Sequence, residues 1–383
     1  MSTDEAQNLW AVSHTALYLL RPGQSTFRRY TAADGLNIAN AASPGIMNVA
    51  GGHANEVFVG YNGADVSGLP QANGDPAHDA ILKKGGIDHV SLNADGTLTV
   101  VHPDVHSDDY VVTTNGVTET DFSYYEDRGT RRMLYDHHFH PGSLFVGWNH
   151  GVNRFDWGTT DPITHLPYAD HVHPIVTSQT SGGVTEWMGE WRGLALDPTH
   201  SGMLWMGGQY TGGALNWTAG LYPWTCQRQS CNPANNFYRA WAKAYGTPLF
   251  PVQNDGDSMN IRAAAVTSDG TVYFASGPQW NPPFDPVYGV AVVTGWSLTY
   301  LDPISDLHLP SKQLMDMVAM PDGTLAFAVL DAGLFRYNPT THQTFQVTGV
   351  PNHINMLYLD TTVSPAALYA ATDQGFTVVR DSP

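Results

Sequence analysis

One short apolar pattern recurs along the chain: Leu or Val, usually an aromatic residue, then small or branched apolar positions ending in most cases on Gly or Ala. It stands at Leu9–Val12, Val57–Gly60, Leu144–Gly147, Leu204–Gly207, Val272–Ala275, Leu325–Ala328 and Leu368–Ala371, seven times in 383 residues. Runs this short, apolar at successive positions and rich in aromatic and β-branched side chains, predict buried β-strands. Several follow an apolar strand and a tight turn, as in Leu194–Pro198, Ala265–Gly270 and Val318–Gly323. Asp-Gly between two such runs is a hairpin signal. A third strand, often opened by Gly, comes next: Gly151–Phe155, Gly213–Trp217, Gly333–Tyr337 and Gly375–Val379. Thr26–Tyr30 and Thr344–Val347 read as fourth strands.

Short antiparallel strands grouped in fours and repeated along a chain predict a β-propeller. A single blade cannot bury both faces, so neighbours must pack on it. The expectation is all-β: one domain over residues 1–383, a single seven-bladed β-propeller with long loop insertions on one face. Eight blades is the alternative, because Leu92–Val100 resembles Met320–Ala328. Ile87–Leu92 and Leu98–His102 are read instead as the third and fourth strands of the second blade. Residues 218–260 form a long Cys-containing insertion, with helix expected only near Tyr238–Tyr245. Leu9 opens in a second-strand position, so strands from both chain ends are expected to share the closing blade.

The segment from Leu9 to Leu36, with Leu-Trp-Ala-Val, Ala-Leu-Tyr-Leu-Leu-Arg-Pro and Thr-Phe-Arg-Arg-Tyr-Thr-Ala-Ala-Asp-Gly-Leu, resembles the two-component-regulator propeller repeat of bacterial sensors. Ala332–Val347 resembles it again. The resemblance covers the strand framework and not the long insertions. It implies a propeller that is often periplasmic or extracellular and often ligand-sensing. The repeat has no catalytic motif, so it assigns no functional residue. No kinase segment follows it in this chain, unlike the full-length sensors.

Composition narrows the partners. Lys and Arg number 17 against 35 Asp and Glu, a formal charge of −18. That balance disfavours nucleic acid and anionic membrane surfaces, which require basic faces. A 42% hydrophobic share supplies a large core. No apolar run reaches the roughly 18 residues of a spanning helix. Met1–Gln7 is polar and acidic, without a leader pattern. The protein is then either cytoplasmic, or extracellular or periplasmic with its leader removed. Cys226 and Cys231 lie close together in a polar stretch. A disulfide there points to an oxidising compartment; two free thiols in a loop is the alternative.

Long insertions are expected on the face formed by loops entering the inner strands and loops joining second to third strands. Their aromatics, Trp187, Trp191 and Trp280 among them, either stack on a sugar or flat ligand or pack the loops onto the blades. Aligned inner-strand starts bring Asn48, Arg132, Arg192, Arg262, Asp316 and Asn355 to comparable positions, with Arg131 replacing Arg132 if the third blade slips by one. The arginines either converge on a carboxylate, sulfate or phosphate, or pair with acids to close the channel mouth. Histidines concentrate at His137, His138, His140, His150, His165, His171 and His173. His138 with His140, and His171 with His173, have the spacing to chelate zinc or manganese. Calcium is considered at Asn254–Asn260, which lacks the terminal Glu of an EF-hand loop. In a lyase or hydrolase acting on an acidic polysaccharide, Arg192 would neutralise a carboxylate, and His138, His140 or Tyr135 would move the proton. Hydrogen-bonded turn histidines are the structural alternative. A small-molecule or glycan ligand is the expected partner, an enzyme the alternative, and a protein-interaction scaffold the third reading.

Overall fold

The computed structural model describes residues 1–64, 81, 84–103, 105, 111–114, 117–120, 128–137, 142–148, 152–160, 167–172, 191–199, 203–207, 214–218, 261–277, 289–294 and 297–380. The chain divides into two compact units, Met1–His173 with Tyr222–Cys231, and Pro174–Leu221 with Asn232–Pro383. The described residues are almost wholly strand and turn; short 3-10 turns occur at Ala32–Asp34 and Asn37–Asn40.

In the first unit, β1 (Ser2–Thr3), β2 (Leu9–Ser13), β3 (Ala16–Leu20) and β4 (Arg28–Tyr30) form one antiparallel meander. A second follows in β5 (Ile46–Gly51), β6 (Glu56–Tyr61), β7 (Gly86–Leu92) and β8 (Leu98–Val101). A separate hairpin, β9 (Val111–Thr114) with β10 (Val117–Thr120), precedes the third meander. That meander is β11 (Thr130–Asp136), β12 (Ser143–Trp148), β13 (Val152–Thr160) and β14 (Pro167–Val172).

The second unit opens with β15 (Gly193–Leu196), β16 (Met203–Gly207) and β17 (Ala214–Thr218). Two four-stranded meanders follow. One is β18 (Ile261–Val266), β19 (Val272–Ser276), β20 (Val290–Thr294) and β21 (Ser297–Leu301). The other is β22 (Leu314–Ala319), β23 (Leu325–Val329), β24 (Gly333–Asn338) and β25 (Gln343–Val347). The last sheet has β26 (Ile354–Asp360), β27 (Ala367–Thr372) and β28 (Gly375–Arg380). In the first unit β1 lies beside β5 and β5 beside β11; in the second unit β15 lies beside β18, β18 beside β22 and β22 beside β26. Repeated meanders packed in this way are the β-propeller fold.

Each echo found in the sequence is the second strand of its own sheet: β2, β6, β12, β16, β19, β23 and β27. Leu92–Val100 lies in the β7–β8 hairpin, as the third-and-fourth-strand reading required. Two expectations are corrected. The first sheet takes its innermost strand from Ser2–Thr3, not from the C-terminal segment. The insertion at Pro103–Arg131 carries a hairpin of its own. Tyr238–Tyr245 and the rest of 219–260 lie outside the described residues.

The recurring pattern has a packing cause. Second strands are flanked on both faces, so Val57, Phe58, Val59 and Tyr61 are all fully buried. Outer strands keep one wet side, and β25 is largely exposed. The Gly closing the pattern sits where the next sheet's inner strand begins. A Cβ on Gly60 would lie 2.4 Å from Thr130 Oγ1, and one on Gly207 would lie 2.6 Å from Ile261 Cδ1. The Asp residues of the inner hairpins are turn locks. Asp197, Asp322 and Asp360 each accept the backbone N–H and the hydroxyl of the Thr two residues on, at 2.6–3.0 Å. Part of the acidic excess is therefore structural.

Candidate binding site

The sheets β5–β8 and β11–β14 meet in a seam of Ala50, Phe58, Ile87, Met133, Tyr135, Leu144, Val146 and Phe155. Toward the end where inner strands turn into second strands, the seam becomes aromatic and then polar. Phe58 is stacked between the His89 ring (5.0 Å, 15°) and the Tyr135 ring (5.7 Å, 18°). Trp157 packs edge-on against Phe58 at 4.7 Å and tilts against His89 at 5.3 Å. Strand alternation brings these rings together: His89 lies opposite Phe58 across β6–β7, and Phe155 and Trp157 share one face of β13.

Imidazoles and carboxylates crown this stack. Glu56 Oε1 lies 2.5 Å from His89 Nε2, and its Oε2 accepts the backbone N–H of His53 at 2.8 Å. In the β1–β2 turn, Glu5 Oε1 lies 3.1 Å from His53 Nδ1 and 3.6 Å from His137 Nδ1. The His53 and His137 rings both pack edge-on against Tyr135, at 5.6 and 4.9 Å. Burial raises both carboxyls. The His89 and backbone bonds at Glu56, and the His53 and His137 interactions at Glu5, outweigh it, so both sit below the ordinary glutamate range. Burial pushes the Tyr135 phenol the other way, well above its usual value, and the charges of Glu56 and Glu5 add to the rise. The rim therefore carries two ionised carboxylates around aromatic faces and a phenol held in its neutral form. Such a surface suits an ammonium or guanidinium group that can also lie against a ring.

A second polar cluster in the same unit holds the fold together. Buried Asp88 accepts from the Tyr61 hydroxyl and from the Asn37 N–H at 3.0 Å, and pairs with His102 Nδ1. It ties the second 3-10 turn to β6, β7 and the end of β8. Burial raises the Asp88 carboxyl, and burial together with Asp88 raises the Tyr61 phenol.

The residues singled out in the sequence are distributed as follows. Tyr135 belongs to the rim. His138, His140, His173, Trp187, Trp280, Cys226 and Cys231 lie outside the described residues. His171 pairs with Asn153 in β13–β14. Trp191 is 1% exposed, a core residue instead of an open stacking face. Among the described residues, no group of three or more His, Cys, Asp or Glu is arranged to hold a metal ion.

A β-bulge at the start of five inner strands divides the aligned polar set. The bulges fall between Ile46 and Asn48, Thr130 and Arg132, Ile261 and Ala263, Leu314 and Asp316, and Ile354 and Met356. Asn48, Arg132 and Asp316 follow the bulge. Arg262 and Asn355 form it, and Arg192 precedes Gly193 at the corresponding place. In the third sheet Arg131 is thus the counterpart of Arg262, the one-residue slip anticipated there. Its Nη1 donates to Asn62 Oδ1 at 2.8 Å. Asn48 and Asp316 link neighbouring sheets: Asn48 Nδ2 donates to Thr130 Oγ1 at 3.0 Å, and Asp316 Oδ2 accepts the Leu357 N–H at 2.8 Å.

Sequence reasoning missed Glu5, His53, Glu56, His89 and Trp157. It placed the ligand face at the opposite end of the strands, where the insertions are longest, although Tyr135 and His137, which it did single out, stand at this end. The available signal was Glu-Val-Phe at the start of a second strand facing His89 in the third, a polar interruption in an apolar pair.

No protein-family model matches the sequence, and no curated protein matches it. Among solved structures, YCF48 bound to D1 peptide is similar over 100% of this chain and 92% of its own, at 11% identity and a TM-score of 0.53. PorZ, a surface component of the type-IX secretion system of Porphyromonas gingivalis, is similar at 14% identity and a TM-score of 0.49, over 99% of this chain and 46% of its own. The extracellular domain of a hybrid two-component system from B. thetaiotaomicron has 10% identity and a TM-score of 0.35, with coverages of 100% and 44%. At these identities the similarity speaks to fold alone. Among the described residues no helix is long and apolar enough to cross a membrane.

Proposed function

We propose that this chain is a ligand-binding β-propeller of seven blades, one for each three- or four-stranded sheet, and that its ligand is a peptide or protein segment presenting a cationic side chain. The observation that carries this reading is the rim of the β5–β8 and β11–β14 seam: Glu5 and Glu56, both held below the ordinary glutamate range, set among Tyr135, Trp157, His53 and His89. The overall charge of −18 favours the approach of such a segment. That YCF48 was solved with a peptide bound adds a precedent for this fold. An extracellular or periplasmic setting remains part of the proposal, on the Cys226–Cys231 pair and the sensor-like repeat.

A second reading keeps the arginines. The bulge register gives Arg192 and Arg262 the same place on adjacent inner strands of the second unit, which supports an anionic or glycan ligand there. The lyase reading is weakened at Tyr135, because a phenol pushed upward by burial is a poor base. Fluorescence polarisation with labelled Lys/Arg-rich, Glu-rich and uronate-oligosaccharide probes separates the alternatives. Binding of the basic probe, weakened about tenfold by Glu56→Gln, as expected for one lost charged contact, supports the rim. Binding confined to the acidic probes and abolished by Arg262→Ala moves the site to the arginines.

A further inference from the structure

Two imidazoles stand directly on the rim carboxylates. His53, in the β5–β6 turn, touches both of them: its ring Nδ1 lies 3.1 Å from Glu5 Oε1, and its backbone N–H donates to Glu56 Oε2 at 2.8 Å. His89 Nε2 lies 2.5 Å from the other Glu56 oxygen, with its ring stacked on Phe58 and tilted against Trp157. Both side chains reach water, His53 at 50% exposure and His89 at 22%.

The backbone stitches the turns that carry these groups. The Glu5 N–H donates to Gly52 O at 3.2 Å, the Gly52 N–H to Glu56 O at 3.0 Å, and the Glu56 N–H to His53 O at 2.9 Å. Asn8 Nδ2 donates to Asn55 Oδ1 at 3.2 Å, which joins the β1–β2 turn to the β5–β6 turn a second time. A charge gained on His53 is therefore felt by both carboxylates. The other polar groups around the pair are few. The β1–β2 turn also holds buried Asp4, bonded to Asn8 and Trp10. From β11 come the neutral Tyr135 phenol and Asp136 behind it. His137, just after β11, lies 3.6 Å from Glu5. From β13 comes uncharged Trp157. The ion pairs of Glu5 and Glu56 run to histidines. A Lys or Arg partner would keep its charge at every ordinary pH, whereas an imidazole changes charge between about pH 5 and 8.

We propose that the rim releases its cationic segment as the pH falls from about 7.5 to about 5.5, through protonation of His53 and His89. This rests on the reading of the rim as a site for cationic segments. At the upper end the imidazoles are neutral donors, and the carboxylates keep their charge for the ligand. At the lower end imidazolium at His53 neutralises Glu5 and imidazolium at His89 neutralises Glu56, so an incoming ammonium or guanidinium meets like charge. Glu5 and Glu56 themselves lie below 4.5 and stay ionised throughout, which leaves the histidines to carry the change.

The probe is the labelled Lys/Arg-rich peptide, titrated against the full chain by fluorescence polarisation at about pH 7.5 and about pH 5.5 and constant ionic strength. The Kd of the parent should rise about tenfold or more on acidification. His53→Gln/His89→Gln is compared with itself, as the ratio of its own two values, and that ratio should stay under about threefold. Equal or tighter binding at the lower pH, or a double variant that loses as much as the parent, overturns the gating and leaves the cationic reading intact. A peptide bound at neither pH overturns that reading and the gating with it. Loss of far-UV circular dichroism at the lower pH would also overturn the gating, because release would then be unfolding. The switch has a readout that needs no ligand. In chain labelled with 5-fluorotryptophan, the Trp157 fluorine resonance, assigned by its loss in Trp157→Phe, should shift between the two pH values and should stay still in His89→Gln. A resonance that stays still in the parent overturns the proposal whatever the peptide does.

Discussion

Asp316 separates a structural carboxylate from a ligand-binding one. It stands just after the bulge of β22, is 1% exposed, and accepts the Leu357 N–H of the next inner strand at 2.8 Å and the Met317 N–H at 3.0 Å. Asp316→Ala removes a charged acceptor and strands a buried amide. Each effect is worth about 1–3 kcal/mol, and because they are two sides of one broken bond they overlap to a predicted loss of about 2–4 kcal/mol. At roughly 2–4 °C per kcal/mol for a unit of this size, the melting temperature should fall by about 4–16 °C. Asp316→Asn keeps an acceptor for Leu357 and should lose about half as much. Urea and thermal unfolding of the three proteins, followed by far-UV circular dichroism, give the comparison. If Asp316→Ala unfolds at the parent's midpoint but loses a ligand, the inter-sheet link is not the role of this residue.

Three other outcomes follow from the same contacts. Gly60→Ala should destabilise by about 1–3 kcal/mol, because its Cβ would lie 2.4 Å from Thr130 Oγ1, and Thr130→Gly in the same chain should recover part of the loss in a double-mutant cycle. The hydrogen bond to Asp331 raises His353 above 6.5, so its contribution to stability is complete below that value and is lost as pH rises through the folded pKa; NMR titration should show Asp331→Asn moving it back down. Glu56 lies below 4.5 in the fold, so its contribution is complete above that pH and is lost as pH falls through the folded value. Acid unfolding of Glu56→Gln should accordingly be less steep in that window.

The framework was legible because packing dictates it residue by residue. A strand flanked on both faces must be apolar throughout, and the close approach of the next sheet forces Gly or Ala where the second strand ends, as at Gly60 and Gly207. Turn chemistry exposed the hairpins at Asp322-Gly323 and Asp269-Gly270 in the same way. The polar positions were harder, because a bulge adds one residue without changing the apolar pattern around it. Asn48, Asp316 and Arg262 looked equivalent in sequence, yet the first two link sheets and the third sits in the bulge. The rim was hidden for another reason. Glu5, His53, His89 and Tyr135 come from four separate strands or turns of three sheets, and only the packing of those sheets brings them together.

The rim as a surface for cationic segments is tested most directly by photo-crosslinking. A Lys/Arg-rich peptide with a benzophenone at its centre is irradiated with the native chain and with Glu5→Gln/Glu56→Gln, and the adducts are mapped by mass spectrometry. Adducts concentrated in Gly52–Val57, Ser91 and Trp157, and largely lost in the double variant, are the expected result. Equal labelling of both proteins, or adducts gathered around Arg192 and Arg262, would contradict it.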